Sequence, residues 1–124
     1  MEPIDLRALR CAPIEVYESG GAASAEFAAG GGEAHVHCVR FEPGGRIGEH
    51  EAGFGQLFLV LEGRGWIAGA DGRRIEVSVG QGALLARGEI HAKGSDSGMT
   101  ALMLQVRELL PRSEALEPTP RRGI

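Results

Sequence analysis

Imidazole is the side chain best suited to chemistry near neutral pH, as a proton carrier or as a metal ligand, and this chain of 124 residues places it at His35, His37, His50 and His91. His35 and His37 are separated by one residue, so on an extended strand they share a face and form a spacing that chelates an ion. His50 shares its face with Ala52, whereas Glu49 and Glu51 point the other way and are poor helpers for it. Glu89 falls on the face of His91, where a carboxylate orients an imidazole or moves a proton, although an exposed loop carboxylate is the plainer expectation. Cys11 and Cys38 are expected as free thiols of a reducing compartment, with Cys38 a small buried hydrophobe in the run HVHCVRF. Lys93 is the only lysine, the remaining basic residues being arginine, and no chemistry is assigned to it.

The elements that must hold these groups are strands. Glycine is frequent (20 residues), aromatics are few, and apolar residues come in short runs between Gly-rich turns, the pattern of an all-β sandwich or barrel. Strands are expected near residues 14–18, 35–41, 48–50, 56–62, 65–70, 73–77, 83–86, 90–93 and 100–106, with Asp71-Gly72 as a hairpin turn. Period-two alternation puts Gln56, Phe58 and Val60 on one face and Leu57, Leu59 and Leu61 on the other, which then needs cover from another sheet or a second subunit. Residues 5–9 read as a helical turn and 111–124 as a proline-containing tail without regular structure.

The length suits one domain. A net charge of -4 and the absence of a basic patch argue against a nucleic-acid partner. No apolar run is long enough to span a bilayer and no signal-peptide profile opens the chain, so a cytoplasmic location without a membrane partner is expected.

Two segments carry a family resemblance. The run PGGRIGEHEAGFGQLFLVLEGRGW, Pro43 to Trp66, resembles the first cupin motif, in which a Gly is followed after five residues by His-x-His, then Glu, then Gly; here the frame is Gly44, His50, Ala52, Gln56, Gly63. The run GQGALLARGEIH, Gly80 to His91, resembles the second motif, with Gln81 and Ala86 in place of Asp and Pro but Gly88 and His91 retained. The resemblance spans roughly residues 36–106. It implies a jelly roll, the double-stranded β-helix of the cupin barrel, over residues 34–110, with residues 1–33 as an extension packed on it. It also implies that His50, Gln56 and His91 converge on the barrel interior and that the protein forms a homodimer.

Two of the usual ligand positions have lost their side chains, to Ala52 and Gln56, so the donor set for a divalent Zn, Ni, Fe or Mn ion is His50, Gln56 and His91, with His35 or His37 as a supplement. An amide oxygen is a weaker donor than a carboxylate and does not neutralise the ion. The primary expectation is therefore a cupin that binds a small molecule through His50, Gln56, Phe58 and His91, with any metal weakly held. The alternative is a metal-dependent dioxygenase or isomerase. A metal-free isomerase using His50 or His91 as base, and a purely sensory module, are further readings. Phe54 and Trp66 are expected in the core or at an interface unless they line the pocket.

Overall fold

The structure, a computed structural model, describes residues 1–112. Its strands are β1 (Glu2–Asp5), β2 (Ala12–Pro13), β3 (Ala23–Ser24), β4 (Ala28–Phe41), β5 (Gly45–Glu51), β6 (Gly55–Ala68), β7 (Arg74–Ser78), β8 (Gln81–Leu85), β9 (Ile90–Ser95) and β10 (Met99–Pro111). The expected helical turn is a single 3₁₀ turn, Leu6–Ala8, capped by the Asp5 carboxylate accepting from the Arg7 amide. Among the described residues no helix is long and apolar enough to cross a membrane. The expected tail lies, from residue 113 onward, outside the described residues.

The fold is all-β, a jelly roll made of two sheets that share one long strand. One sheet runs β1-β8-β6-β10-β4, and β6 also pairs with β7 and β9, with β5 beyond β9. Gln56 to Leu59 of β6 sit against β8, whereas Arg64 to Ala68 sit against β7, so the strand leaves one sheet and enters the other. Two expected strands, 56–62 and 65–70, are thus one continuous element. Gly63 lies at the change of sheet with φ of +72° and its backbone tight against Gly98, a conformation and a clearance that exclude a side chain.

Alternation then decides what fills the space between the sheets. Phe58 and Val60 point inward with Phe41, Ile67, Val77, Ala83, Met99 and Ala101, forming the apolar core. Phe58 packs edge-on to Phe41 at 6.2 Å between ring centres. On the outer face of β6, Leu57 is nearly buried at 9 % exposure, and the segment around Phe27 lies over it and Leu104 with a cavity of about 190 Å³ between them. Leu61 remains 47 % exposed, so the N-terminal segment covers only one end of this leucine row.

Residues 14–18 are not a strand: Tyr17 and Glu18 adopt positive φ, and the chain turns there. The β-branched residues Ile14 and Val16 favoured extension, but the segment has only two short neighbouring strands, β2 and β3, to pair with. Conversely, the glycine-rich stretch 28–33 is the start of β4, because four registered pairs with β10, from Glu108↔Gly31 to Pro111↔Ala28, hold it. Gln81, in the position of the motif's Asp, ties the β7–β8 turn together by accepting from Ser78 and donating to Asp5.

Candidate functional site

His50 and His91 meet because β5 contains a bulge. Ile47 is paired with Lys93, but two residues back along β9 the partner of His91 is His50 and not Glu49. The extra residue in β5 shifts the alternation by one, so an imidazole and not a carboxylate faces the second sheet. Beyond the strand, the Ala52 amide donates to the Glu89 carbonyl and the Gly88 amide donates to the Ala52 carbonyl, which clamps the end of β5 against the loop before β9. The ring centres of His50 and His91 are 4.4 Å apart and tilted by 53°. His50 is exposed, and its Nδ1 donates to the Gly48 carbonyl at 2.7 Å. His91 is fully buried, and among the described residues neither of its ring nitrogens has a hydrogen-bond partner.

Behind His91 lies a residue that the sequence reading passed over. His91, Lys93 and Ser95 share the inward face of β9 by alternation, and Lys93 is 1 % exposed. Its Nζ donates to the Gln56 Oε1 and stands 4.5 Å above the Phe58 ring. Burial pushes the Lys93 ammonium down to about 7, because the charged form loses its water. His91 is pushed down to about 4, chiefly by burial and further by the positive charges of Lys93 and His50, with Glu89 opposing. Phe58 has no exposed surface: its ring is the floor under Lys93 as well as part of the core.

His35 and His37 belong to the same face as Gln56. Cross-strand partners in an antiparallel sheet point the same way, and His35 is paired with Gln105, itself paired with Gln56. Both imidazoles are nevertheless exposed, at the open end of the sheet. His37 hydrogen-bonds Gln105 at 3.1 Å, and His35 pairs with Glu33 at 2.6 Å and stacks on Phe54. Arg107, which stands on β10 opposite the extra residue of β4, holds Glu33 and lies over the other partner, Phe54. These groups form a rim that is already paired within itself. Glu89 is likewise engaged, accepting from the Ala86 amide and the N-terminal ammonium. Trp66 is a core residue with Arg74 stacked on it.

The family model for the AraC-like ligand binding domain matches residues 33–122. The chain belongs to this cupin-type family. No curated protein matches it. Among similar solved structures, a cupin superfamily protein from Desulfitobacterium hafniense is 18 % identical over 81 % of this chain and 98 % of its own, with a TM-score of 0.58. A cupin-like protein from Thermotoga maritima is 17 % identical over 83 % and 95 %, also with a TM-score of 0.58. A Streptococcus pyogenes protein of unknown function is 21 % identical with a TM-score of 0.57; the alignment covers 61 % of this chain and 66 % of that one. At such identities the likeness concerns the fold.

Cupins often hold a metal, and the donor set of this cupin does not fit one. The Gln56 oxygen that would ligate is occupied by the Lys93 ammonium, and a divalent cation placed among His50, Gln56 and His91 would stand against that charge. Among the described residues no cluster of three or more His, Cys, Asp or Glu side chains is close enough to hold an ion. His35 and His37 make up no deficit, since they sit at the rim with other partners. The arrangement can instead offer hydrogen bonds and positive charge from between the two sheets.

Proposed function

We propose that this cupin-type domain binds a small molecule in the space between its sheets, entered beside His50 and anchored by His50, Gln56 and His91 above the ring of Phe58. The observation that carries this reading is His91: a fully buried imidazole with two unpartnered nitrogens costs free energy that a bound ligand recovers. The family's character as a ligand-binding domain supports it. A metal-dependent dioxygenase or isomerase is not part of the reading, because Lys93 occupies the amide that would complete the ligand set.

The same reading takes residues 34–110 as the principal part of the barrel, 1–33 as an extension that packs on it and lends β1 and the start of β4 to its sheet, and 111–124 as a tail. It holds the protein to be cytoplasmic, without nucleic-acid or membrane partners, and homodimeric through the outer face where Leu61 and Val36 stay exposed, at 47 % and 66 %. The test is a fragment screen followed by amide and side-chain NMR. Resonances of His50, Gln56, Phe58 and His91 are expected to move together and to saturate. A screen whose hits move only residues outside the barrel would overturn the reading. Elemental analysis of protein purified without added metal is expected to find no stoichiometric transition metal.

A further inference from the structure

Accepting that the barrel interior is a ligand site, we propose that the group it takes is a carboxylate, bound by the Lys93 ammonium with His91 as the second donor.

Lys93 and His91 present complementary deficits at adjacent inward positions of one strand. Lys93 is 1 % exposed, and its polar contact is a neutral amide, Gln56; among the described residues no carboxylate pairs with it. The Phe58 face at 4.5 Å supplies only the partial negative charge of an aromatic ring. His91 has donors and acceptors available and no partner for either nitrogen. Side chains two apart on a strand start roughly 6–7 Å from each other, and the long lysine stem lets both heads reach one small group between them.

The deficits discriminate between classes of ligand. A divalent cation would satisfy the His91 lone pair and worsen the buried positive charge. A neutral hydroxyl or amide group would supply hydrogen bonds and leave that charge uncompensated. A doubly charged phosphate would bring one negative charge more than the one buried ammonium matches. A carboxylate supplies a single negative charge and two acceptor atoms, one for Nζ and one for an imidazole N–H, and charge-assisted bonds of this kind are the strong ones. His50 stands on the path: it is exposed, it lies against His91, and one hydrogen bond to the Gly48 carbonyl holds its ring. Rotation of this side chain opens the way to the two donors behind it.

Matched pairs of acid and amide separate charge from shape. Benzoate and benzamide, and butyrate and butyramide, are titrated into the full chain while the Lys93 and His91 side-chain resonances are followed. The expected result is binding of the acids at these residues with at least about tenfold weaker binding of the amides. Lys93→Met and Lys93→Gln are each expected to abolish the preference for the acid. Equal binding of acid and amide at Lys93 and His91, or a preference that survives in both variants, would overturn the carboxylate assignment and leave the interior ligand site standing. Absence of any perturbation of these residues by all four compounds would remove the assignment together with that site.

Discussion

The two ends of the space between the sheets are built by the same strands and filled by opposite chemistry. At one end Phe41, Val60, Ile67, Met99 and Ala101 pack without a polar atom among their side chains. At the other, β6 contributes Gln56, β9 contributes His91 and Lys93, and β5 contributes His50. Apart from the exposed His50 both ends are buried, so the contrast is one of composition. An apolar core stabilises the fold by removing hydrocarbon from water; a buried ammonium and an unpartnered imidazole destabilise it. Phe58 is the boundary, with one edge against Phe41 and one face under Lys93. The fold carries the polar end at a cost, which marks it as the place where something other than stability is decided.

The contrast is most directly broken at its boundary. Phe58→Ala should destabilise the domain by about 3–5 kcal/mol, the range for removing a buried aromatic ring, measured by urea unfolding. A loss near zero would mean that the apolar end does not support the fold.

Lys93→Met should act in the opposite sense and stabilise the protein by ~1–3 kcal/mol at pH 6, since an apolar side chain of similar volume replaces a desolvated charge, with some loss from the abandoned Gln56 oxygen. The wild-type pH profile supplies the sign. With the folded Lys93 at about 7 and its ordinary value at 10.5, the unfolded chain holds the extra proton between those limits, so stability rises with pH across that window. The variant should lack this rise. In His91→Leu a separate segment should disappear: folded His91 at about 4 against an ordinary 6.5 makes the wild type lose stability as pH falls from 6.5 to 4. Thermal melts at a series of pH values would read both effects, and an unchanged profile in either variant would remove the residue from the buried polar group.

Restoring the cupin motif sharpens the comparison further. Ala52→His with Gln56→Glu, made in the presence of Lys93, should bind zinc or nickel no more than a few-fold better than wild type, because the new carboxylate pairs with the ammonium. Adding Lys93→Met should raise affinity by at least about tenfold more. Isothermal titration of the double and triple variants distinguishes the two. The smallest effect is expected outside the barrel: Leu61→Ser should change unfolding free energy by less than ~0.5 kcal/mol while lowering self-association in sedimentation, if the outer face is where copies meet.

Much of the site was legible. The spacing of Gly44, His50, Gln56 and Gly63, and of Gly88 and His91, located the two strands that bring imidazoles together, because turns needing glycine and an inward polar residue leave a mark in the residue order. Lys93 could have been found the same way, two residues after His91 on the same face, but a lysine in a short strand is ordinarily solvated and its residue type gives no sign of burial. The faces of His35 and His37 were not readable, since they depend on how β4, β10 and β6 register across two strand boundaries.

By itself the sequence determined the all-β class, the positions of the principal turns and the candidates His50, Gln56 and His91, since these follow from local alternation and glycine conformation. Only the tertiary structure decided that a bulge in β5 turns His50 toward His91, that His91 is sealed without partners among the described residues, and that the amide of Gln56 belongs to Lys93. Those outcomes depend on which strands lie side by side and how much water they exclude, and both are properties of the assembled barrel.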